Sequence, residues 1–356
     1  MNPLFLLAGT VVLAAVIVDL LWTTLWVDGG SGPLSGRLTT GVWHGLRRVT
    51  DNYPRALSLA GPIILALTLA MWIGLIWLGW TLLFAGGTTA LADSQTGDPA
   101  TWAGRLYYVA YTMFTSGNGD YTPTSSVWEL VSSFTTATGM AFVTLGVSYV
   151  LSVLGAVSEK RAFASDVTGL GERSEAFVRT SWTGDVAPSD YDSETDGRRP
   201  DGGRAGEAQN PFSGLELPLE SLASQLSLLA EQHKSYPILH YYHSEQAMQA
   251  SAVAVPILDD ALTLFRHGVP ADEQLDPTLV ENARTSVDSY LETLDTAFID
   301  PAEEVPPEPE LERLREEGIP TVSDEEFDAA LAELSDRRRK LLGVVRADAW
   351  EWPPAK

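Results

Sequence analysis

The sequence predicts an all-α membrane protein. Three observations carry that prediction: three apolar runs long enough to cross a bilayer, the absence of charge from two of them, and a return of helical periodicity in an acidic second half. A bilayer's hydrocarbon core needs roughly 20 helical residues at about 1.5 Å each. The runs 3–27, 57–84 and 130–158 all reach that length, and the second and third contain no charged residue. Trp72, Trp77 and Trp80 on the second run suit membrane interfaces and helix packing.

The first run lacks a basic leader and stays apolar past any cleavage position, so it reads as a retained helix, not a removed signal. Residues 28–56, a loop between the first two spans, carry Arg37, Arg47, Arg48 and Arg55 against Asp28 and Asp51. The segment after the second span carries Asp93 and Asp98, and the third span ends at Lys160 and Arg161. The positive-inside rule therefore predicts a multi-pass protein of the cell membrane with its N-terminus outside and everything after the third span cytoplasmic. Asp19 interrupts the first span, and an acid there is by default a functional candidate. Near the cytoplasmic end of that helix it can also reach the interface or meet an arginine of the next loop.

Charge and composition exclude other classes. With 23 Lys and Arg against 47 Asp and Glu, the formal net charge is -24, which argues against neutralising nucleic-acid phosphates. No cysteine is present, so disulfides, thiolate metal sites and cysteine nucleophiles are ruled out. Paired intramembrane acids are missing, since Asp19 stands alone, and no catalytic residues, resident metal or cofactor are expected; the chain is not read as an enzyme.

Between the second and third spans the chain reads TWAGRLYYVAYTMFTSGNGDYTP over 101–123. Residues 106–114 are apolar, aromatic and too short to span. They predict a half-crossing helix followed by an extended polar stretch, which is tolerated at membrane depth only where protein buries it or it lines a water-filled cavity.

This segment resembles the pore loop of the potassium channel family, in its prokaryotic form with two pore helices, whose pattern runs roughly WWxxxTxTTVGYGDxTP. Tyr107 and Tyr108 fall on the tryptophan pair and Thr112 on the first threonine. Thr115, Gly117, Gly119 and Asp120 fall on the filter threonine, both filter glycines and the following aspartate, with Thr122 and Pro123 downstream. Phe114 replaces a threonine, Ser116 a valine, and Asn118 the filter tyrosine. The resemblance covers about residues 57–158.

The resemblance implies a pore-loop channel module over 57–158, with an outer helix, a pore helix, a filter and an inner helix. Residues 1–27 then form one extra N-terminal transmembrane helix. Backbone carbonyls of Thr115, Ser116, Gly117, Asn118 and Gly119 would replace an ion's hydration shell, with Asp120, Tyr107, Tyr108 and Thr112 as supports. Glycine reaches the positive φ that such a backbone requires. One loop cannot encircle an ion, so a homotetramer is implied. The permeant ion is a monovalent cation, potassium by resemblance, with sodium or non-selective conduction as the alternative that Asn118 raises. Asn118 lacks the tyrosine's apolar cuff but can hydrogen-bond to Tyr107 or Tyr108. Gly139 falls on the family's inner-helix hinge, with close packing as the other role for such a glycine. A reading from another class is a non-conducting membrane scaffold or sensor.

The cytoplasmic half predicts a flexible linker over 159–214, an α-helical domain over 215–299, a Pro- and Glu-rich linker over 300–322 and a C-terminal helix over 323–356. Ser323 is placed as that helix's N-cap. Arg337, Arg338, Arg339 and Lys340 form a basic patch, read as a solvated helix end or a contact to lipid or the acidic domain. His240 and His243 are read as a surface or partly packed pair, with pH sensing and metal binding as lesser alternatives. No GxGxxG or GxxxxGK[ST] loop and no arginine ladder occur, and the residues name no ligand or partner for the helical domain.

Overall fold

Helix dominates the computed structural model, which describes residues 1–27, 30–50, 54–183, 211–295 and 299–354. In chain order the first elements are α1 (Pro3–Leu25), α2 (Pro33–Thr50), α3 (Pro54–Leu57), α4 (Ala60–Gly86), β1 (Leu91–Asp93), α5 (Trp102–Met113), β2 (Tyr121–Pro123) and α6 (Ser126–Leu170). They are followed by α7 (Ser174–Ser181), α8 (Glu216–Ser235), α9 (Ser251–Thr263), α10 (Pro277–Asp295), α11 (Leu311–Glu316), α12 (Asp324–Glu333) and α13 (Ser335–Ala347). Three helical stretches, Pro3–Leu25, Arg55–Gly86 and Ser126–Leu170, are long and apolar enough to cross a membrane. The described residues divide into two compact units, one from Met1–Val157 and Gln232–Tyr242, the other from Ser158–Glu231 and His243–Lys356.

In the first unit α1 starts on a polar cap. The Asn2 side chain accepts the Leu4 amide at 3.1 Å, and Pro3 occupies the first turn, where its missing N–H costs nothing. α1 then lies tightly along α4. A Cβ on Gly9 would sit 2.7 Å from the Gly79 carbonyl oxygen, and one on Gly79 would meet Leu13 Cγ at the same distance. Small residues let the backbones approach, which is how helices gain packing energy in lipid.

The segment expected to be a loop between the first two spans contains α2. Its Ser35, Thr39 and Trp43 recur every four residues and are buried, one stripe of an amphipathic helix. Asp19 explains how this helix is held. The carboxylate is 0% exposed and accepts the Leu34 amide at 2.7 Å, the Ser35 amide at 3.2 Å, the Ser35 hydroxyl at 2.5 Å and Trp72 Nε1–H at 2.9 Å. It therefore caps the N-terminus of α2 from a neighbouring helix, where exposed amides and the helix dipole favour a negative charge. Among the described residues its hydrogen-bond partners are thus Leu34, Ser35 and Trp72, not an arginine of the following segment. Asp19→Ala is expected to cost about 3 kcal/mol or more, because it strands several buried donors at once. Asp19→Asn, which keeps an acceptor, should cost less; thermal unfolding of both variants in detergent checks the order.

Residues returning from far along the chain complete this unit. The Tyr236 ring lies 6.1 Å from Tyr149 of α6, and Tyr241 meets Trp43 edge-on at 5.7 Å. Tyr242 covers Gly61, where a Cβ would approach its ring to 2.5 Å.

In the second unit the whole of α9 is buried, and α7, α10 and α13 pack on it. Phe265 gathers an aromatic core, 5.0 Å from Phe212 and 6.5 Å from Phe177. Several boundaries differ from the sequence expectation. α6 continues to Leu170 and α7 follows, so helix occupies the first part of the segment assigned to a linker; 184–210 lie outside the described residues. The apolar positions Phe163, Val167, Phe177 and Val178, all buried, supply the reason. The Pro- and Glu-rich stretch holds α11, anchored by buried Leu311 and Leu314. The C-terminal helix is two, α12 and α13, broken at Leu334, with the Ser323 hydroxyl capping α12 as expected.

Two members of the basic patch, Arg337 and Arg338, turn inward. Arg338 is 1% exposed and holds Asp260 through Nε at 3.2 Å and Nη2 at 3.0 Å, and its Nη2 also donates to the Pro307 carbonyl at 2.7 Å. Arg337 pairs with Asp259 at 2.6 Å and also with Asp288. These two arginines contact the acidic domain, one of the alternatives of the sequence reading, while Arg339 stays at the surface with Asp336.

Candidate functional site

The candidate site lies between α5 and β2. α5 begins with Thr101, whose hydroxyl oxygen accepts the Gly104 amide at 3.1 Å, and ends at Met113. Twelve residues are too few to span a bilayer, as the sequence implies. α4 and α6 flank it. Trp77 Nε1–H donates to the Leu106 carbonyl of α5 at 2.9 Å, and Trp80 Nε1–H donates to Thr138 of α6 at 2.9 Å. The aromatic residues of α4 thus fasten both neighbours.

After Met113 the backbone leaves ordinary helical and extended space. Thr115, Gly117 and Gly119 have φ of 59°, 60° and 77°. Every second residue is left-handed, and Thr115 adopts this conformation although it is β-branched, which is a genuine outlier. Such strain persists only where the surroundings over-determine it, and it concentrates at functional sites. Two amides turn back to the helix end: Thr115 N–H donates to Thr112 O at 3.2 Å, and Ser116 N–H to Tyr111 O at 2.8 Å. Among the described residues, no backbone amide donates to the carbonyls of Thr115 through Gly119. Residues 114–120 are exposed in the single chain.

The tyrosines of α5 support this stretch. The Asn118 side-chain amide donates to the Tyr107 hydroxyl. Tyr108 shares a hydrogen bond with Ser132 of α6 and packs edge-on to Phe84 at 5.2 Å. Thr112 presents its carbonyl to the Thr136 hydroxyl at 3.3 Å. Asp120 is held through its own carbonyl, which accepts the Ser94 amide at 2.9 Å and the Ser94 hydroxyl at 3.0 Å. Beyond it, β2 pairs antiparallel with β1, Ala92 opposite Thr122.

Sequence reading missed Tyr111. Its hydroxyl donates to the Tyr121 carbonyl at 3.0 Å, and its ring lies 5.1 Å from Tyr107 and 5.3 Å from Tyr108. The signal was present in YYVAY, since Tyr111 follows Tyr107 by four residues and so shares its helix face. Ser94 and the two strands carry no such signal, because three-residue strands are too short for alternation to register.

Gly139 stands where α6 meets the end of α5. A Cβ there would overlap the Met113 carbonyl oxygen and lie 2.8 Å from its carbonyl carbon. α6 runs unbroken through this point, so the geometry displays the packing role of the glycine. Among the described residues no group of acidic or histidine side chains is arranged to hold a metal.

Comparison with known proteins agrees with this geometry. Residues 68–156, which contain most of α4, all of α5 and the first two thirds of α6, match the family described as Ion channel. Over its whole length the chain is similar to the Uncharacterized membrane protein YdjJ of Bacillus subtilis (strain 168), 38% identical over 353 residues that cover 99% of this chain and 96% of the relative. No solved structure matches.

Proposed function

This chain belongs to the family of the Bacillus subtilis membrane protein YdjJ and carries an ion channel domain, and we propose that it is a passive potassium channel whose filter is built from the backbone of Thr115 to Gly119. The observation that carries the proposal is the alternation of left-handed residues at Thr115, Gly117 and Gly119 immediately after the twelve-residue helix α5. Such an alternation is what a row of carbonyls needs in order to face one axis, and those carbonyls receive no amide from the described chain. Exposed in the single chain, these carbonyls are open to water or to an ion. A dehydrated cation shared by several chains supplies the missing partner, and a ring of four such chains closes by cyclic symmetry, with each contributing a quarter of the filter. The carbonyl end of α5 carries a partial negative charge that favours a cation nearby. On the positive-inside reading, α2 and the whole Ser158–Glu231 and His243–Lys356 unit are cytoplasmic.

Potassium over sodium rests on the filter's width, and the Asn118–Tyr107 hydrogen bond takes the place of the tyrosine cuff in the resembled family. A non-selective filter is the second reading, favoured by the smaller Asn118 side chain. Tyr107→Phe removes the hydroxyl and keeps the ring. The expected result is a potassium-to-sodium flux ratio lowered roughly fivefold in liposomes, equivalent to losing one neutral hydrogen bond of about 1 kcal/mol. An unchanged ratio would remove Tyr107 from the selectivity account, and equal fluxes in the unmodified protein would replace potassium with non-selective conduction.

A further inference from the structure

The helix α2 has three faces, and packing within its own unit uses one of them. Ser35, Thr39 and Trp43 are buried where α2 packs on α4, and the Arg47 guanidinium lies over the Trp43 ring at 5.8 Å. Beside this stripe Leu34, Leu38 and Val42, again four residues apart, are only half-buried, and Val49 is 85% exposed. Positions four and eleven residues apart share a helix face, so Arg37, Gly41 and Arg48 form the third. Both arginines are exposed there, and a Cβ on Gly41 or on neighbouring Gly45 would meet nothing within 4 Å. Although the whole chain has a net charge of -24, α2 contains arginine and no acid. Among the described residues no carboxylate pairs with Arg37 or Arg48.

The chain holds this helix at the membrane boundary. α2 connects α1 to α4, both long and apolar enough to cross, and its first turn is tied to Asp19 in the second-last turn of α1. Exposed Trp22 and Trp26, stacked at 5.0 Å, place aromatic rings suited to headgroup level at that same end of α1. We propose that α2 is an interfacial docking helix for anionic phospholipid, with Leu34, Leu38 and Val42 against acyl chains and the Arg37 and Arg48 guanidiniums on lipid phosphates. An apolar stripe flanked by cations is the arrangement of a helix lying in the interface plane. A guanidinium matches a phosphate through two parallel N–H bonds, and the negative surface potential of an anionic leaflet draws arginine toward it. Eleven residues separate the two arginines by about 16 Å along the axis, so each takes its own lipid. A zwitterionic headgroup offers the same phosphate but offsets it with its own cation, which makes net lipid charge the selected property.

The inference rests on the membrane placement of α1 and α4 and not on conduction, so its test contains no flux. Gly45→Cys supplies the only thiol in a chain without cysteine, at a position open to a side chain. Full-length protein labelled there with bimane is reconstituted in phosphatidylcholine liposomes. Phosphatidylglycerol with brominated chains, or brominated phosphatidylcholine as the comparison, is then added in rising fractions, since bromine quenches only at short range. Phosphatidylglycerol is expected to reach half-maximal quenching at about one fifth of the fraction that phosphatidylcholine requires. Arg37→Gln with Arg48→Gln should bring the two curves together. Arg37→Lys with Arg48→Lys should keep most of the separation, because lysine still binds phosphate as a point charge. Arg313→Gln with Arg346→Gln, which removes the same charge from exposed positions of the other unit, should leave the separation unchanged. Coincident curves in the otherwise unmodified protein, no quenching by either lipid, or a separation that survives Arg37→Gln with Arg48→Gln overturns the docking helix. So does a separation abolished by millimolar inorganic phosphate but not by chloride of equal ionic strength, which makes a soluble anion the occupant. Lipid preference in protein that passes no cation supports the docking helix and removes only the channel reading.

Discussion

Gly139→Leu is expected to abolish cation flux and to displace the end of α5, although the residue touches no ion. The overlap that any Cβ creates is with the backbone of Met113, carbonyl oxygen and carbon alike, so no side-chain rotation relieves it. Either α5 moves off α6 or α6 bends, and each path breaks the hydrogen bond from Thr136 to the Thr112 carbonyl that seats the start of the candidate filter. Overpacking of this kind costs about 1–3 kcal/mol in soluble cores and more where only backbone can yield. Gly146→Leu on the same helix is the control: its Cβ would meet Leu69 at 3.6 Å, an ordinary contact. If Gly139 acted only as a hinge, Gly139→Ala would leave the resting structure untouched and alter opening alone. The packing geometry predicts instead that even alanine lowers the thermal stability of the assembled protein.

Arg338→Met is expected to cost about 3–5 kcal/mol at pH 8, the cost of leaving a buried charge without its partner. Asp260 lies within α9, and burial pushes its carboxyl up to about 7 even though the Arg338 guanidinium opposes that shift. An acid whose folded value is raised holds its proton more tightly folded than unfolded. Its contribution to stability is therefore fully present below the unfolded value of about 3.9 and declines as pH rises through the folded value near 7. Removing Arg338 takes away the opposing cation and carries that decline further into the alkaline range. The variant should accordingly be close to normal near pH 5 and most damaged at pH 8. Pairing it with Asp260→Asn should recover much of the loss and flatten the pH dependence; denaturant unfolding across pH gives both results.

The spans and the pore loop were legible because they depend on local chemistry. Apolar length alone identifies a crossing helix, and the positions of Gly117, Gly119 and the flanking threonines state a backbone requirement that few residue types meet. The alternative of an Asn118 hydrogen bond to Tyr107 was open to sequence reasoning because the resemblance aligned Asn118 with the filter tyrosine and Tyr107 with the aromatic pair of the pore helix, although the two lie 11 residues apart. What escaped depends on partners distant in sequence. Asp19 looked like an isolated membrane acid, and its amide partners at Leu34 and Ser35 appear only once α2 folds back beside α1. The basic run from Arg337 looked solvated because Asp259 and Asp260, which neutralise it, lie 78 residues earlier. Similarly, the return of Tyr236, Tyr241 and Tyr242 to the first unit has no periodic signature, since each packs on a different element. The length of α6 was underestimated because a charge-free criterion stops at Ser158, while Lys160 and one face beyond it, Phe163, Ala164, Val167 and Thr168, are buried by protein.

The conduction claim is tested most directly by flux through full-length protein of measured stoichiometry. Liposomes reconstituted with the purified assembly, its subunit number counted independently, are loaded with potassium or with sodium and diluted into a gradient. Four subunits and a potassium efflux that exceeds sodium efflux are predicted. Gly117→Ala is predicted to abolish both while preserving assembly, because the left-handed φ of 60° at that position admits glycine and strains any other residue. Correctly assembled protein that passes neither cation, or a Gly117→Ala variant that conducts as well as its parent, would contradict a filter made of this backbone.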